Sequence, residues 1–158
     1  MRVFIAGNKG QLGRALAVAL RQHEVVGGDL PELDIAAYDV VRNALAAVRP
    51  DVVINAAAYT DTTGCERNPE LAFRVNALGV QSLALACATV GAALVHISTN
   101  EVFDGRQTTP YRELDATNPL NTYARSKLAG EWYAQRLCPR FYIVRTAWLY
   151  GDGASNFI

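Results

Sequence analysis

Short apolar runs alternate with helical patterns along this chain, and this alternation constrains the fold more than any other feature. The runs predict strands at residues 3–6, 24–27, 52–54, 92–97 and 141–144. Between the first two, Leu12, Leu16 and Leu20 recur on one face of a helix. Strands without polar alternation are typical of a parallel sheet covered by helices on both faces. Right-handed crossovers then make a Rossmann-type doubly wound α/β fold the simplest topology.

Two other segments have clear local signals. Residues 103–120 contain a glycine, two prolines and many polar side chains, which predicts a long loop before a helix over about 121–137. Asn68 resembles a helix N-cap, with Pro69 at the first helical position. The buried face of the helix that follows is predicted to consist of Leu71, Val75, Leu78, Ser82 and Leu85.

Composition and charge argue against several classes of protein. Basic and acidic residues number 15 each, so the net charge does not favour a nucleic-acid partner or an anionic membrane surface. No apolar run reaches the length of a membrane span, and the N-terminus lacks the pattern of a signal peptide. The three cysteines are odd in number and lack the spacing of metal ligands or of a disulfide framework. We therefore expect a cytoplasmic protein with free thiols.

Three glycines between the first strand and the first helix predict a dinucleotide site. Gly7 permits a tight turn, Gly10 lets the backbone approach a pyrophosphate, and Gly13 allows close packing of helix and strand. The helix N-terminus would then bind the pyrophosphate. Asp29 ends the second strand, where it can accept hydrogen bonds from the adenosine ribose. Its charge disfavours a 2′-phosphate and so favours NAD(H), but Lys9 could compensate, which leaves NADP(H) open.

A tyrosine and a lysine four residues apart predict the catalytic pair. Tyr123 and Lys127 share one face of the helix over 121–137, and a neighbouring ammonium would lower the pKa of the phenol. Tyr123 could then give a proton to a carbonyl oxygen as hydride arrives. Ser98 and Thr99 end the fourth strand, and a hydroxyl there could bind the same oxygen. Ligands of such sheets bind beyond the carboxyl ends of the strands, where all these groups converge.

Together these motifs resemble the extended short-chain dehydrogenases/reductases, and within them the dTDP-4-dehydrorhamnose reductase family. The resemblance covers the whole chain. The segments that follow strands four and five are its specific part. The matching stretches are residues 7–13, 55–60, 75–77, 98–105, 121–131 and 145–151.

The resemblance implies reduction of the 4-keto group of dTDP-4-dehydro-6-deoxy-L-mannose to dTDP-L-rhamnose with NAD(P)H. It makes Tyr123 the proton donor, Lys127 its partner and Thr99 the hydroxyl that steadies the transition state, with Ser98 beside it. Residues matching cofactor-contacting positions are Gln11, Leu12, Asp29, Asp34, Ile35, Ala58, Tyr59 and Thr60. Those matching substrate-contacting positions are Thr99, Asn100 and Trp148.

The resemblance also implies a domain organisation. Residues 1–150 are expected to form the dinucleotide-binding domain, and residues 151–158 to begin a C-terminal substrate-binding region that is cut short. A homodimer is possible under this interpretation. Ala15 replaces a glutamate that some members use near a metal-linked dimer contact, so we predict no metal.

One departure from the family leaves alternatives open. The family commonly has Asp-Tyr where this chain has Asn100 and Glu101, beside the expected substrate. Another nucleotide-sugar enzyme, an epimerase or a dehydratase, is one alternative, although a dehydratase usually needs an acid pair here. A non-catalytic regulatory subunit that keeps the dinucleotide site is the other, and it would not need Tyr123, Lys127 or Thr99.

Overall fold

Five parallel strands form one sheet in the computed structural model, which describes residues 1–151. The strand order is β2-β1-β3-β4-β5, so the chain winds from β1 to one side and then crosses to the other. This confirms the predicted doubly wound α/β fold. Nearly all of the predicted C-terminal region, residues 152–158, lies outside the described residues. The strands are β1 (Arg2–Ala6), β2 (Glu24–Gly28), β3 (Val52–Asn55), β4 (Ala93–Thr99) and β5 (Phe141–Thr146).

Helices connect the strands and cover the sheet. They are α1 (Gln11–Ala19), α2 (Tyr38–Val48), α3 (Thr62–Arg67), α4 (Pro69–Phe73), α5 (Gly79–Val90) and α6 (Thr122–Leu137). A π-helical turn, Arg74–Leu78, joins α4 to α5, and a 3₁₀ turn, Asn100–Val102, follows β4. Asn68 caps α4 by accepting a hydrogen bond from the Leu71 N–H at 3.0 Å, as predicted.

Alternate strand residues point to opposite faces of the sheet, and each face has its own apolar cluster. Phe4 of β1 faces the larger cluster, where α2, α5 and α6 pack. Val3 and Ile5 face the smaller one, to which α1 contributes partly buried leucines. The edge strand β5 departs from the expected burial. Its Tyr142 and Val144 are 63% and 44% exposed.

The buried face predicted for the segment after Asn68 is wrong at two positions of its second half, although Ser82 there is buried as predicted. Leu78 and Leu85 are 44% and 37% exposed, whereas Val80 and Leu83 are buried. The π-helical turn explains the difference, because it closes hydrogen bonds over five residues and so rotates α5 relative to α4. A pattern with a single helical period cannot fit both sides of such a turn.

The same helical segment bears on the membrane prediction. Pro69–Val90 is long and apolar enough to cross a membrane by length and composition alone, with a mean hydropathy of 1.4, which the sequence analysis did not anticipate. In its most apolar stretch of 18 residues, 56% of the residues are buried inside the protein, as expected of a core helix, so its length and composition are weak evidence for a membrane span.

Internal contacts organise the long loop between β4 and α6. Asp104 accepts hydrogen bonds from the Tyr111 hydroxyl at 2.7 Å and from Asn118 Nδ2 at 3.0 Å. These bonds, with that from the Arg106 N–H, lower the pKa of Asp104 to about 2. Phe103 stacks on Tyr111 with their ring centroids 4.3 Å apart. The loop therefore has a defined conformation where it leaves the end of β4.

Candidate active site

A cleft of about 540 Å³ lies beyond the carboxyl ends of the strands, where the sequence analysis expected a ligand. Its walls come from the segments that follow β1, β3, β4 and β5 and from α6. Most of the predicted site residues line it: Gly10, Gln11, Leu12, Ala58, Thr60, Ser98, Thr99, Asn100, Tyr123, Lys127 and Trp148. The others do not: Gly7, Gly13, Asp29, Asp34, Ile35 and Tyr59.

The glycine loop is packed too tightly for side chains at two of its three glycines. Gly7 has a φ of 81°, and its N–H donates to the Gly28 carbonyl oxygen at 2.8 Å. A Cβ on Gly13 would lie 2.1 Å from the Gly7 carbonyl oxygen, whereas one on Gly10 would lie 3.3 Å from the same atom. Gly10 is the N-cap of α1 and provides no side-chain acceptor for the first turn. This helix N-terminus therefore faces the cleft with the features of an anion site.

Opposite charges meet at the end of β2. The Lys9 backbone N–H donates to Asp29 Oδ2 at 2.9 Å, which ties the glycine loop to this strand. The Lys9 ammonium pairs with Glu32 at 3.0 Å. Asp29, which disfavours a 2′-phosphate, and Lys9, which could attract one, are therefore neighbours. Asp34 lies further along the chain and pairs with Arg74.

Asn76, in the π-helical turn, fixes the loop that follows β3. Its Oδ1 accepts from the Tyr59 N–H and its Nδ2 donates to the Tyr59 carbonyl oxygen, both at 2.9 Å. Nδ2 also donates to Ser126 Oγ at 3.0 Å, and Ser126 in turn donates to the Tyr123 carbonyl oxygen at 2.7 Å. Tyr59 thus contributes through its backbone to holding the cleft wall against α6.

Tyr123 is hydrogen-bonded to Thr99, and its environment differs from the one expected. Burial raises the pKa of the phenol, the hydrogen bond with Thr99 opposes this, and the Glu101 carboxylate raises it further. The sequence analysis expected Lys127 to lower this pKa, and that expectation was wrong. A raised pKa keeps the phenol protonated near neutral pH, which suits a group that gives a proton away.

Lys127 lines the cleft but is almost completely buried, rather than lying on a solvated helix face. Its side chain is buried, and Nζ donates to the Ile97 carbonyl oxygen at 2.7 Å. Burial lowers the pKa of Lys127 to about 8, and the charge of Glu131 partly opposes that change. The backbone of β4 thus orients the Lys127 ammonium. Lys127 itself lies one helical turn after Tyr123 on α6.

Ser98 has a different environment from the one predicted. Its hydroxyl donates to Glu131 Oε1 at 2.5 Å. Arg145 of β5 binds the same carboxylate through Nε at 3.0 Å and Nη2 at 2.7 Å. The proton of the Ser98 hydroxyl is therefore used inside the protein, which leaves Thr99 as the hydroxyl beside Tyr123.

Two carboxylates anchor the N-terminal end of α6. Glu66 accepts from the Thr122 N–H at 2.6 Å and from the Thr122 hydroxyl at 2.9 Å. Glu101 Oε2 accepts from Asn121 Nδ2 at 2.7 Å, while Asn121 Oδ1 caps the helix at the Ala124 N–H. These contacts fix the first turn of the helix, on which Tyr123 lies.

The groups that support the site were not predicted from the sequence. No role was predicted for Glu131, Arg145 or Glu66, and α3 was not predicted. The spacing of four residues between Lys127 and Glu131 was a usable signal, because such residues share a helix face. Nothing local in the sequence could pair Arg145 or Glu66 with α6, since those contacts join distant segments.

A family model described as the RmlD substrate binding domain matches residues 1–158, the whole chain. The chain belongs to this family. A dTDP-4-dehydrorhamnose reductase from Aggregatibacter actinomycetemcomitans is 41% identical over 160 residues, which cover 99% of this chain and 54% of that protein. One from Mycobacterium tuberculosis is 47% identical over 163 residues, covering 98% and 52%. The chain thus spans about half the length of the curated RmlD relatives it matches.

Solved structures show the same fold. A dTDP-4-dehydrorhamnose reductase from Clostridium acetobutylicum superposes with a TM-score of 0.96 at 45% identity, covering 99% of this chain and 56% of that one. The Bacillus anthracis reductase, solved in complex with NADP, gives a TM-score of 0.95 at 39% identity with the same coverage. The RmlD family thus includes a protein of this fold with a dinucleotide bound.

Proposed function

We propose that the protein reduces the 4-keto group of dTDP-4-dehydro-6-deoxy-L-mannose to dTDP-L-rhamnose, with NADPH or NADH as the reductant. One observation supports this most directly. The Tyr123–Thr99 hydroxyl pair lies in the same cleft as the N-terminus of α1. Membership of a family with reductases among its relatives gives the substrate class.

The glycine loop fits a dinucleotide. Gly10 leaves the first turn of α1 without a side-chain cap, and only the Gly7 carbonyl oxygen lies near the position of its missing Cβ. A pyrophosphate could therefore approach the backbone N–H groups at this point. Gln11, Leu12, Ala58 and Thr60 would contact the rest of the cofactor, and Asp29 the adenosine ribose.

The chemistry assigned to the side chains is a proton transfer matched to a hydride transfer. The bound nicotinamide supplies the hydride to C4 of the sugar. Thr99 and Tyr123 hold the keto oxygen, and Tyr123 gives it the phenolic proton, so the carbonyl becomes an alcohol. Lys127, one helical turn away, lines the same cleft and would hold the nicotinamide ribose by its hydroxyls. Asn100 and Trp148 would contact the sugar nucleotide.

The wider organisation is part of the same proposal. Residues 1–150 form the dinucleotide-binding domain, and a substrate-binding region begins at residue 151. The protein acts in the cytoplasm on a dTDP-sugar, and it can form a homodimer. Free cysteines among residues 1–151, all three of them buried, support a reducing compartment.

Glu101 favours a second candidate, an epimerase or dehydratase acting on a related nucleotide sugar. This carboxylate lines the cleft and is close enough to Tyr123 to raise its pKa. A base beside a bound ketone can remove a proton from the neighbouring carbon. Asn100 next to it is an amide, so the paired acid that a dehydration needs is absent at that position.

Turnover with defined sugars tests these functions. We would express the protein from its complete gene and supply NADPH or NADH with dTDP-4-dehydro-6-deoxy-L-mannose. Oxidation of the nucleotide with formation of dTDP-L-rhamnose is the expected result. Conversion of the sugar without net oxidation would support the second candidate. Nucleotide binding without any conversion would support a non-catalytic subunit.

A further inference from the structure

We propose that Glu131 is a positioning residue whose buried carboxylate, one helical turn beyond Lys127 on the same face of α6, keeps Lys127 charged at neutral pH. The inference rests on the proposed function for the importance of Lys127, but its geometry is independent of any substrate. Glu131 touches no cleft surface, since its side chain is fully buried. It would therefore act on the reaction through Lys127.

Two side chains of α6 bind two successive residues of β4. Lys127 Nζ donates to the Ile97 carbonyl oxygen, and Glu131 accepts from the Ser98 hydroxyl. Because Lys127 and Glu131 are four residues apart, they lie on the same side of the helix, against the same strand. Thr99, the next residue of β4, is hydrogen-bonded to Tyr123 of the preceding turn. This α6–β4 contact thus joins the catalytic pair to Glu131.

Arg145 and Ser98 explain how a carboxylate can be ionised in this interior. A buried carboxylate is costly unless it is paired and hydrogen-bonded. Glu131 accepts two hydrogen bonds from Arg145, one on each oxygen, and a third from Ser98. The Arg145 guanidinium is held in turn by the Glu113 carbonyl oxygen and lies over the Phe103 ring, 5.0 Å from its centroid.

Among the groups around Lys127, Glu131 is the one whose charge opposes the lowering of the Lys127 pKa by burial. His96 of β4 lies close enough for the charge of Lys127 to lower its pKa, which is already lowered by burial, so it stays neutral. Its Nδ1 is hydrogen-bonded to Asn55 at 3.1 Å. Tyr123, on the same helix, is protonated near neutral pH. The Glu131 carboxylate therefore supplies the negative charge that raises the pKa of Lys127.

The titration of Lys127 can be measured directly. Residues 1–158 contain two lysines, Lys9 and Lys127, so this stretch of the protein contributes two lysine signals to the spectrum. We would label lysine with ¹³C at Cε in the complete protein, assign the Lys127 signal with Lys127→Met, and follow its chemical shift with pH by NMR. Glu131→Gln keeps the shape of the side chain and an acceptor for Ser98. Glu70→Gln, on exposed α4, is the matched control.

In Glu131→Gln, Lys127 is expected to lose its proton about one pH unit or more below the wild-type value. The alkaline limb of kcat should move in the same direction, while Glu70→Gln matches the wild type in both measurements. An unchanged Lys127 titration in folded Glu131→Gln would overturn the proposal, because a purely structural role would lower stability without moving that titration.

A second variant keeps the proposal testable if Glu131→Gln does not fold. Glu131→Gln leaves Arg145 unpaired, so the double variant with Arg145→Met removes both buried charges together, a change that proteins often tolerate. It should still shift the Lys127 titration downward, but by less than Glu131→Gln does, because the positive charge of Arg145 is removed as well. A wild-type titration there would also overturn the proposal. If the wild type binds nucleotide but reduces no dTDP-4-keto sugar, the proposed function fails, whereas the titration still decides the role of Glu131.

Discussion

Lys127 Nζ donates to the backbone carbonyl oxygen of Ile97 at 2.7 Å, and only 2% of the residue is exposed. A charged amine in this position stays charged only over a limited pH range. Its pKa of about 8 lies below the ordinary lysine value because burial disfavours the ammonium.

The first prediction concerns pH. Turnover should fall as pH rises through about 8, by roughly tenfold for each further unit if only charged Lys127 supports the reaction. Measuring kcat/KM from pH 6.5 to 9.5 checks this, because kcat/KM reports the pKa values of the free enzyme. A flat profile would contradict a role for the ammonium.

Loss of stability caused by deprotonation of Lys127 cannot explain a fall of turnover above pH 8. The folded pKa of this base is lower than the unfolded one, so the unfolded chain binds more protons between pH 8 and 10.5. In that window this group makes the free energy of unfolding rise with pH. Circular dichroism at each pH is the control for other groups.

Tyr123→Phe should reduce kcat by about 10²- to 10⁴-fold, because it removes the proton donor and keeps the ring. Nucleotide affinity should change little. Tyr133→Phe, on the same helix but outside the cleft lining, is the control and should keep wild-type kcat. Comparable turnover in both variants would show that another group donates the proton.

Gly10→Ala and Gly13→Ala should have different effects. At Gly13 the added methyl meets the Gly7 carbonyl oxygen at 2.1 Å, so the free energy of unfolding should fall by about 1–3 kcal/mol. At Gly10 the contact is 3.3 Å, and stability should stay within about 0.5 kcal/mol of wild type. Nucleotide affinity should still fall in Gly10→Ala. Urea unfolding and titration with NADPH measure the two quantities, and unchanged affinity would argue against a pyrophosphate at this turn.

Asn76→Ala should destabilise the protein by about 1–3 kcal/mol for each buried group left without a partner. The backbone N–H and carbonyl oxygen of Tyr59 both lose their bonds to this amide. Asn43→Ala, at an exposed position of α2, is the control for asparagine substitution in a helix. Equal urea midpoints for the two variants would contradict a clamping role for Asn76.

Asp104 should make the loop after β4 sensitive to acid. Its folded pKa of about 2 lies below the ordinary value of 3.8, so its stabilising contribution is present above pH 3.8 and is lost as pH falls toward 2. The difference in melting temperature between wild type and Asp104→Asn should therefore shrink across that range. A constant difference from pH 5 to pH 2 would show that the charge of Asp104 is not responsible.

The sequence predicted those parts of the site that depend on local pattern. The glycine loop, the strand ends and the helix with Tyr123 and Lys127 each follow from short-range periodicity and turn chemistry. The pKa of Tyr123 was predicted in the wrong direction, because spacing on a helix does not show that Lys127 points to Ile97. The Arg145–Glu131 contact joins β5 to α6, and a pairing of that kind is set by the tertiary fold.

The π-helical turn Arg74–Leu78 has a consequence for mutational scanning of this helix. Tolerance of polar substitution should repeat with one helical phase up to Asn76 and with another from Gly79 onward. The change of phase lies inside an uninterrupted helix. Deleting one residue of the turn other than Asn76 would convert it to an ordinary α-helical turn, which merges the two phases and leaves both halves facing as before. A single-residue deletion here should therefore be tolerated better than one within α5, where it would rotate the rest of the helix by roughly 100°.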